Sequence, residues 1–150
     1  MFGLNIDAAV FSKIFCIGYL LILTVCDIRN RCVNIRYLAA GAGLVILYQI
    51  IWKEQPWFQC AAGALVGLVF VGISKMTKED LGYGDSYLIT ILGILMGFWE
   101  ILLLLFIAFS LAAVFSILLI VINQSNRKKA FPFIPFITAG YLILLIMKQF

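Results

Sequence analysis

The longest apolar run in this chain decides most of what it can fold into. Residues 101–122 read ILLLLFIAFSLAAVFSILLIVI without a single charge. At 1.5 Å per residue a helix of that length reaches roughly 33 Å, enough to cross a hydrocarbon core of about 30 Å. Such runs recur along the sequence, and six spans are expected: 8–26, 37–52, 58–74, 86–99, 101–122 and 132–147. The fourth and fifth are separated only around GFWE at 97–100, and merging them would leave five. Hydrophobic residues make up 65% of the chain and charged residues 12%, with a mean hydropathy of +1.13. A soluble fold of 150 residues could not bury that much apolar surface. In lipid each backbone polar group needs an internal partner, so the spans are expected to be helices. The fold class is therefore all-α, a polytopic membrane helix bundle of about six transmembrane helices. Residues 1–150 are expected to form one integral-membrane domain, because no polar stretch is long enough for a second. The first run, Val10 to Cys26, lacks a small-residue cleavage site and reads as a retained helix. Gly63-x-x-x-Gly67 suggests close helix packing on the third span and says nothing of function.

Loop charges orient such a bundle. Arg29, Arg31 and Arg36 follow the first span, Lys75 and Lys78 the third, and Arg127, Lys128 and Lys129 the fifth. The opposite loops hold Lys53 with Glu54, and Glu100. The basic loops are expected on the cytoplasmic side, which leaves the N-terminus outside. The net charge of +4 is thus topological and points to no nucleic acid. Trp52, Trp57 and Trp99 fall at the expected outer boundaries, where they would anchor to the interface.

Absences narrow the chemistry. The chain has no histidine, which excludes a Ser–His or Cys–His pair and histidine-ligated zinc. Cys16, Cys26, Cys32 and Cys60 show no C-x-x-C spacing, so neither a metal nor another cofactor is expected. Proton transfer would fall to carboxylates. Two of the seven acids stand out: Asp27 ends the first span, and Asp85 opens the fourth within LGYGDSYL. Both lie on the expected cytoplasmic boundary, where a carboxylate beside the bilayer is costly unless partnered or functional. Asp85 taken alone also reads as a helix cap. If the two meet, one holds a proton while the other stays ionised, and the pair can activate water without metal or covalent nucleophile. Gly82 and Gly84 would let the backbone turn tightly and a substrate strand approach.

Three stretches in order, DIRNRCVNIRYL (27–38), LGYGDSYL (81–88) and FPFIPFITAG (131–140), resemble the prepilin peptidases, membrane aspartic proteases of the Gly-x-Gly-Asp type. These serve type IV pilus, type II secretion and archaellum systems. The resemblance runs from about residue 15 to 142. It implies Asp27 and Asp85 as the catalytic pair. Gly82 and Gly84 would shape the second motif, and Pro132, Phe133, Pro135 and Phe136 would form the C-terminal one. Two positions depart from the family pattern: Val33 is followed directly by Asn34 where a proline is usual, and Tyr87 stands where a lysine is common. The implied substrate is a prepilin-like protein with a basic leader and an apolar helix, cut at the cytoplasmic face of the inner membrane, often after a glycine. The short length resembles members without the cytoplasmic portion associated with methylation, so cleavage without methylation is expected. Three other readings stay open: a presenilin-like intramembrane protease, a small transporter or channel, and a non-catalytic membrane subunit.

Overall fold

A computed structural model of the chain describes residues 2–30, 35–52, 56–76, 83–122 and 133–149. These form six helices and, among the described residues, no strand: α1 (Phe2–Asn30), α2 (Ile35–Trp52), α3 (Trp57–Met76), α4 (Tyr83–Met96), α5 (Phe98–Ile122) and α6 (Ile134–Gln149). All six expected spans coincide with a helix. The boundary between α4 and α5 is sharper than the expected break over GFWE, and Trp99 and Glu100 already belong to α5. The reason is Gly97, whose φ of 84° is open to glycine at little steric cost. Its N–H donates to the Gly93 carbonyl at 2.9 Å, closing α4 in a left-handed cap. Its own carbonyl then accepts from the Ile101 N–H at 3.2 Å, starting α5. One residue both ends a helix and begins the next.

Successive helices run antiparallel, as their side-chain registers show. Along α3 and α4, Gly63 meets Gly93, Gly67 meets Thr90, and the Ser86 hydroxyl donates to the Phe70 carbonyl at 3.3 Å. A methyl on Gly63 would lie 2.0 Å from the Gly93 oxygen, so the two helices touch backbone to backbone. Between α1 and α2 the Tyr19 ring occupies the space a Gly41 side chain would need, and its hydroxyl donates to the Tyr37 carbonyl at 3.3 Å. At the far end Lys148 of α6 pairs with Glu100 of α5.

The core lies along α1, α4, α5 and α6. Leu20, Leu23, Leu88, Leu92, Ile101 and Leu104 are almost wholly enclosed, as are Ile134, Ile137 and Leu144. The outer surface is apolar as well: Ile50, Phe106 and Val121 are each at least 69% exposed. A surface of that kind suits lipid better than water. Among the described residues α3 and α5 are long and apolar enough to cross a membrane on their own.

Candidate active site

Asp27 and Asp85 lie just beyond the expected spans, and the fold sets them at the same end of the bundle, within electrostatic reach. Asp27 sits in the last turn of α1 and is only 7% exposed. Its surroundings are unusual for a helix C-terminus, where a negative charge is disfavoured by the helix dipole. The compensation comes from α6, whose first residue, Ile134, directs its backbone N–H at the Asp27 carboxylate. The other carboxylate oxygen, Oδ2, is buried with no hydrogen-bond partner. Burial pushes the Asp27 carboxyl above the usual carboxylate range, and the Ile134 N–H acts in the opposite direction.

Asp85 lies in the first turn of α4, two residues past its start, and so is not the residue that caps it. Burial, and after it the negative charge of Asp27, push the Asp85 carboxyl up to about 7. The effect of Asp27 on Asp85 puts the two acids within electrostatic reach of each other. Neighbouring carboxylates resist double ionisation, so a shared proton is the favoured state near neutrality.

The described part of the FPFIPF stretch, FIPF at 133–136, explains how α6 comes to face Asp27. Phe133 precedes the helix, and its carbonyl accepts from the Phe136 N–H at 3.0 Å and the Ile137 N–H at 3.3 Å. Pro135 has no N–H to satisfy and fits a first turn. The remaining early donor is the Ile134 N–H, and Asp27 accepts it. The Phe133 ring stacks on Phe109 of α5 at 5.0 Å, and Phe136 meets Phe115 at 5.4 Å. Both aromatic side chains thus seat α6 on α5.

Gly84 is the second residue of α4, next to Asp85, while Gly82 and Pro132 lie outside the described residues. So do Val33 and Asn34, where the first motif departs from the family pattern. Tyr87 is 43% exposed on the outside of α4. Two threonines escaped sequence reasoning. Thr24 and Thr138 approach to 2.7 Å between α1 and α6, one turn below the Asp27–Ile134 contact. Polar residues at helical spacing within apolar spans are the signal that could have found them.

Residues 14–117 match the type IV leader peptidase family, a span that includes both aspartates and stops short of α6. A prepilin leader peptidase/N-methyltransferase of Aeromonas salmonicida is 28% identical over 107 residues, covering 67% of this chain and 37% of that protein. One from Pseudomonas putida is 32% identical over 111 residues, covering 69% of this chain and 38% of that protein. The chain therefore aligns with less than two fifths of the length of these curated relatives. No solved structure gives a significant match. On the extent of the family match, the chain belongs to the type IV leader peptidase family.

Proposed function

We propose that this protein is an integral-membrane aspartic endopeptidase that removes the basic leader from prepilin-like substrates. The observation that carries the reading is a buried acid on α1 within electrostatic reach of a half-buried acid on α4, the first with an unpartnered oxygen and the second with its carboxyl raised to about 7. The ionised member takes a proton from water as its oxygen attacks the scissile carbonyl carbon. The protonated member gives its proton to the carbonyl oxygen, yielding a neutral tetrahedral diol. On collapse the first acid delivers its proton to the leaving nitrogen, and the second recovers one from a diol hydroxyl. The pair ends as it began, with no metal or covalent intermediate.

The positions of charge support a cytoplasmic site in a multi-pass protein of the inner membrane. Arg29, Arg36 and Lys75 lie at the helix ends that share the aspartates' side, and Trp57 and Trp99 lie at the other. A substrate whose basic leader stays in the cytoplasm and whose apolar helix enters the bilayer would present its junction at that height.

The test is cleavage of a prepilin in membranes by wild type, Asp27→Asn and Asp85→Asn at matched expression. Each substitution is expected to abolish cutting. Asparagine at position 27 still offers an oxygen to the Ile134 N–H, so loss of activity there would report the missing carboxylate and not a displaced helix. Cutting that persists in either variant would refute the aspartic mechanism.

A further inference from the structure

Two acids that share a proton do not by themselves say which one holds it. Each also lies near a helix N-terminus, Asp85 on its own helix and Asp27 on α6, so the dipole alone does not separate them. What differs is a directed donor. Resting on the aspartic peptidase reading above, we propose that Ile134 is a positioning residue: its backbone N–H, held in register by Thr24 and Thr138, keeps Asp27 as the charged member. Asp27 is then the base toward water, and Asp85 carries the proton destined for the carbonyl oxygen.

The hydrogen bonds around Ile134 run in one direction. The Thr138 hydroxyl donates to the Ile134 carbonyl at 3.0 Å. A hydroxyl has one proton, so in the 2.7 Å contact with Thr24 it is Thr24 that donates and Thr138 that accepts. The chain from Thr24 through Thr138 reaches the Ile134 carbonyl, and the N–H of the same residue returns to α1 at Asp27, three residues past Thr24. Ile134 is thus fixed from both sides, and its side chain is fully buried. One Asp27 oxygen is engaged, and Oδ2 is left as the open acceptor for a water proton.

The other charges facing Asp27 do not reverse this order. From α4 comes Asp85, the other member of the pair, and repulsion between the two charges disfavours double ionisation without choosing which acid keeps the proton. α6 brings only Lys148, at its far end, where it pairs with Glu100. Arg36 of α2 and Arg29 of α1 itself have exposed side chains at this end of the bundle. Among the described groups the Ile134 N–H is the asymmetric element.

The experiment uses the full chain in lipid nanodiscs and compares Ile134→Pro with Ile134→Ala. Proline removes the N–H yet suits the first helical position, whereas alanine keeps the N–H and loses more side chain. Two readouts are taken: the pH profile of prepilin cleavage, and the carboxyl-carbon NMR titration of Asp27 in an Asp85→Asn background. The Asp27 midpoint is expected to rise by about one pH unit, a tenfold change in ionisation, in the proline variant relative to the alanine one. The acidic limb of the cleavage profile should rise with it. Thr138→Val should move both readouts in the same direction, and Thr138→Ser should restore them. Should Ile134→Pro fail to fold, the Thr138 pair carries the test. An Asp27 midpoint indifferent to these changes would overturn the role of Ile134 while leaving the peptidase reading standing. Cleavage by Asp27→Asn would instead sink the peptidase reading, whatever the titration shows.

Discussion

At the residue scale, the proposed mechanism ties activity to a proton shared by Asp27 and Asp85. It requires one charge on the two acids together. Below the elevated range of Asp27 both are protonated, and above about 7 Asp85 ionises as well. Cleavage should follow a bell, with its alkaline limb near pH 7, measured as initial rate against pH in membranes. The same shift has a consequence for stability. Asp85 is raised on folding from 3.8 to about 7, so it favours the folded state below pH 3.8, and that contribution is lost as pH rises through 7. At pH 8 wild type must hold a buried charge that Asp85→Asn does not carry. The variant should be more stable there by on the order of 3–4 kcal/mol, with a much smaller difference at pH 4. Thermal unfolding in one detergent at both pH values reads this directly. An inactive but stabilised variant is what a strained functional acid produces.

At the element scale, α4 is aimed by its contact with α3. Gly63, Gly67, Thr90 and Gly93 let the backbones touch, and a methyl on Gly93 would lie 2.2 Å from the Gly63 oxygen, a backbone atom that cannot step aside. Gly93→Ala should therefore destabilise by about 1–3 kcal/mol and lower cleavage as Asp85 moves with its helix. Gly72, in the same α3, faces open space, and Gly72→Ala should be neutral or stabilise by about 0.5–1 kcal/mol. Thermal stability and cleavage of the two variants side by side separate packing from simple loss of glycine. The glycine spacing on α3 was legible in the sequence, and its partner on α4 was not, because nothing local to Gly93 marks it as facing Gly63. The candidate site divides the same way. Asp27 and Asp85 stand out in sequence as boundary carboxylates in an apolar chain. Their meeting, and the Ile134 N–H between α6 and α1, depend on how distant helices dock. The role of FPFIPF was half visible: proline at a helix start is a local signal, whereas the stacking of Phe133 on Phe109 is tertiary.

At the scale of the whole molecule, the antiparallel order of six helices sorts side chains between two ends. One end gathers Asp27, Asp85, Arg29, Arg36 and Lys75; the other gathers Trp52, Trp57, Trp99 and the Glu100–Lys148 pair. Trp57 is 83% exposed and Trp99 75%, as suits rings that anchor in an interface. If the basic end is cytoplasmic, an impermeant thiol reagent can check it with two single-cysteine variants in a background where the four native cysteines are serine. Trp57→Cys should label in spheroplasts, from outside. Arg29→Cys, exposed in the last turn of α1 beside the active end, should label only in inverted vesicles. The opposite pattern would put the aspartates on the outer face, away from the basic leader the proposed substrate keeps in the cytoplasm. A leader held by the positive-inside rule and a peptidase oriented by the same rule meet on one side without further signal. The distribution of a few arginines and lysines would then decide both where this protein sits and which bond it can reach.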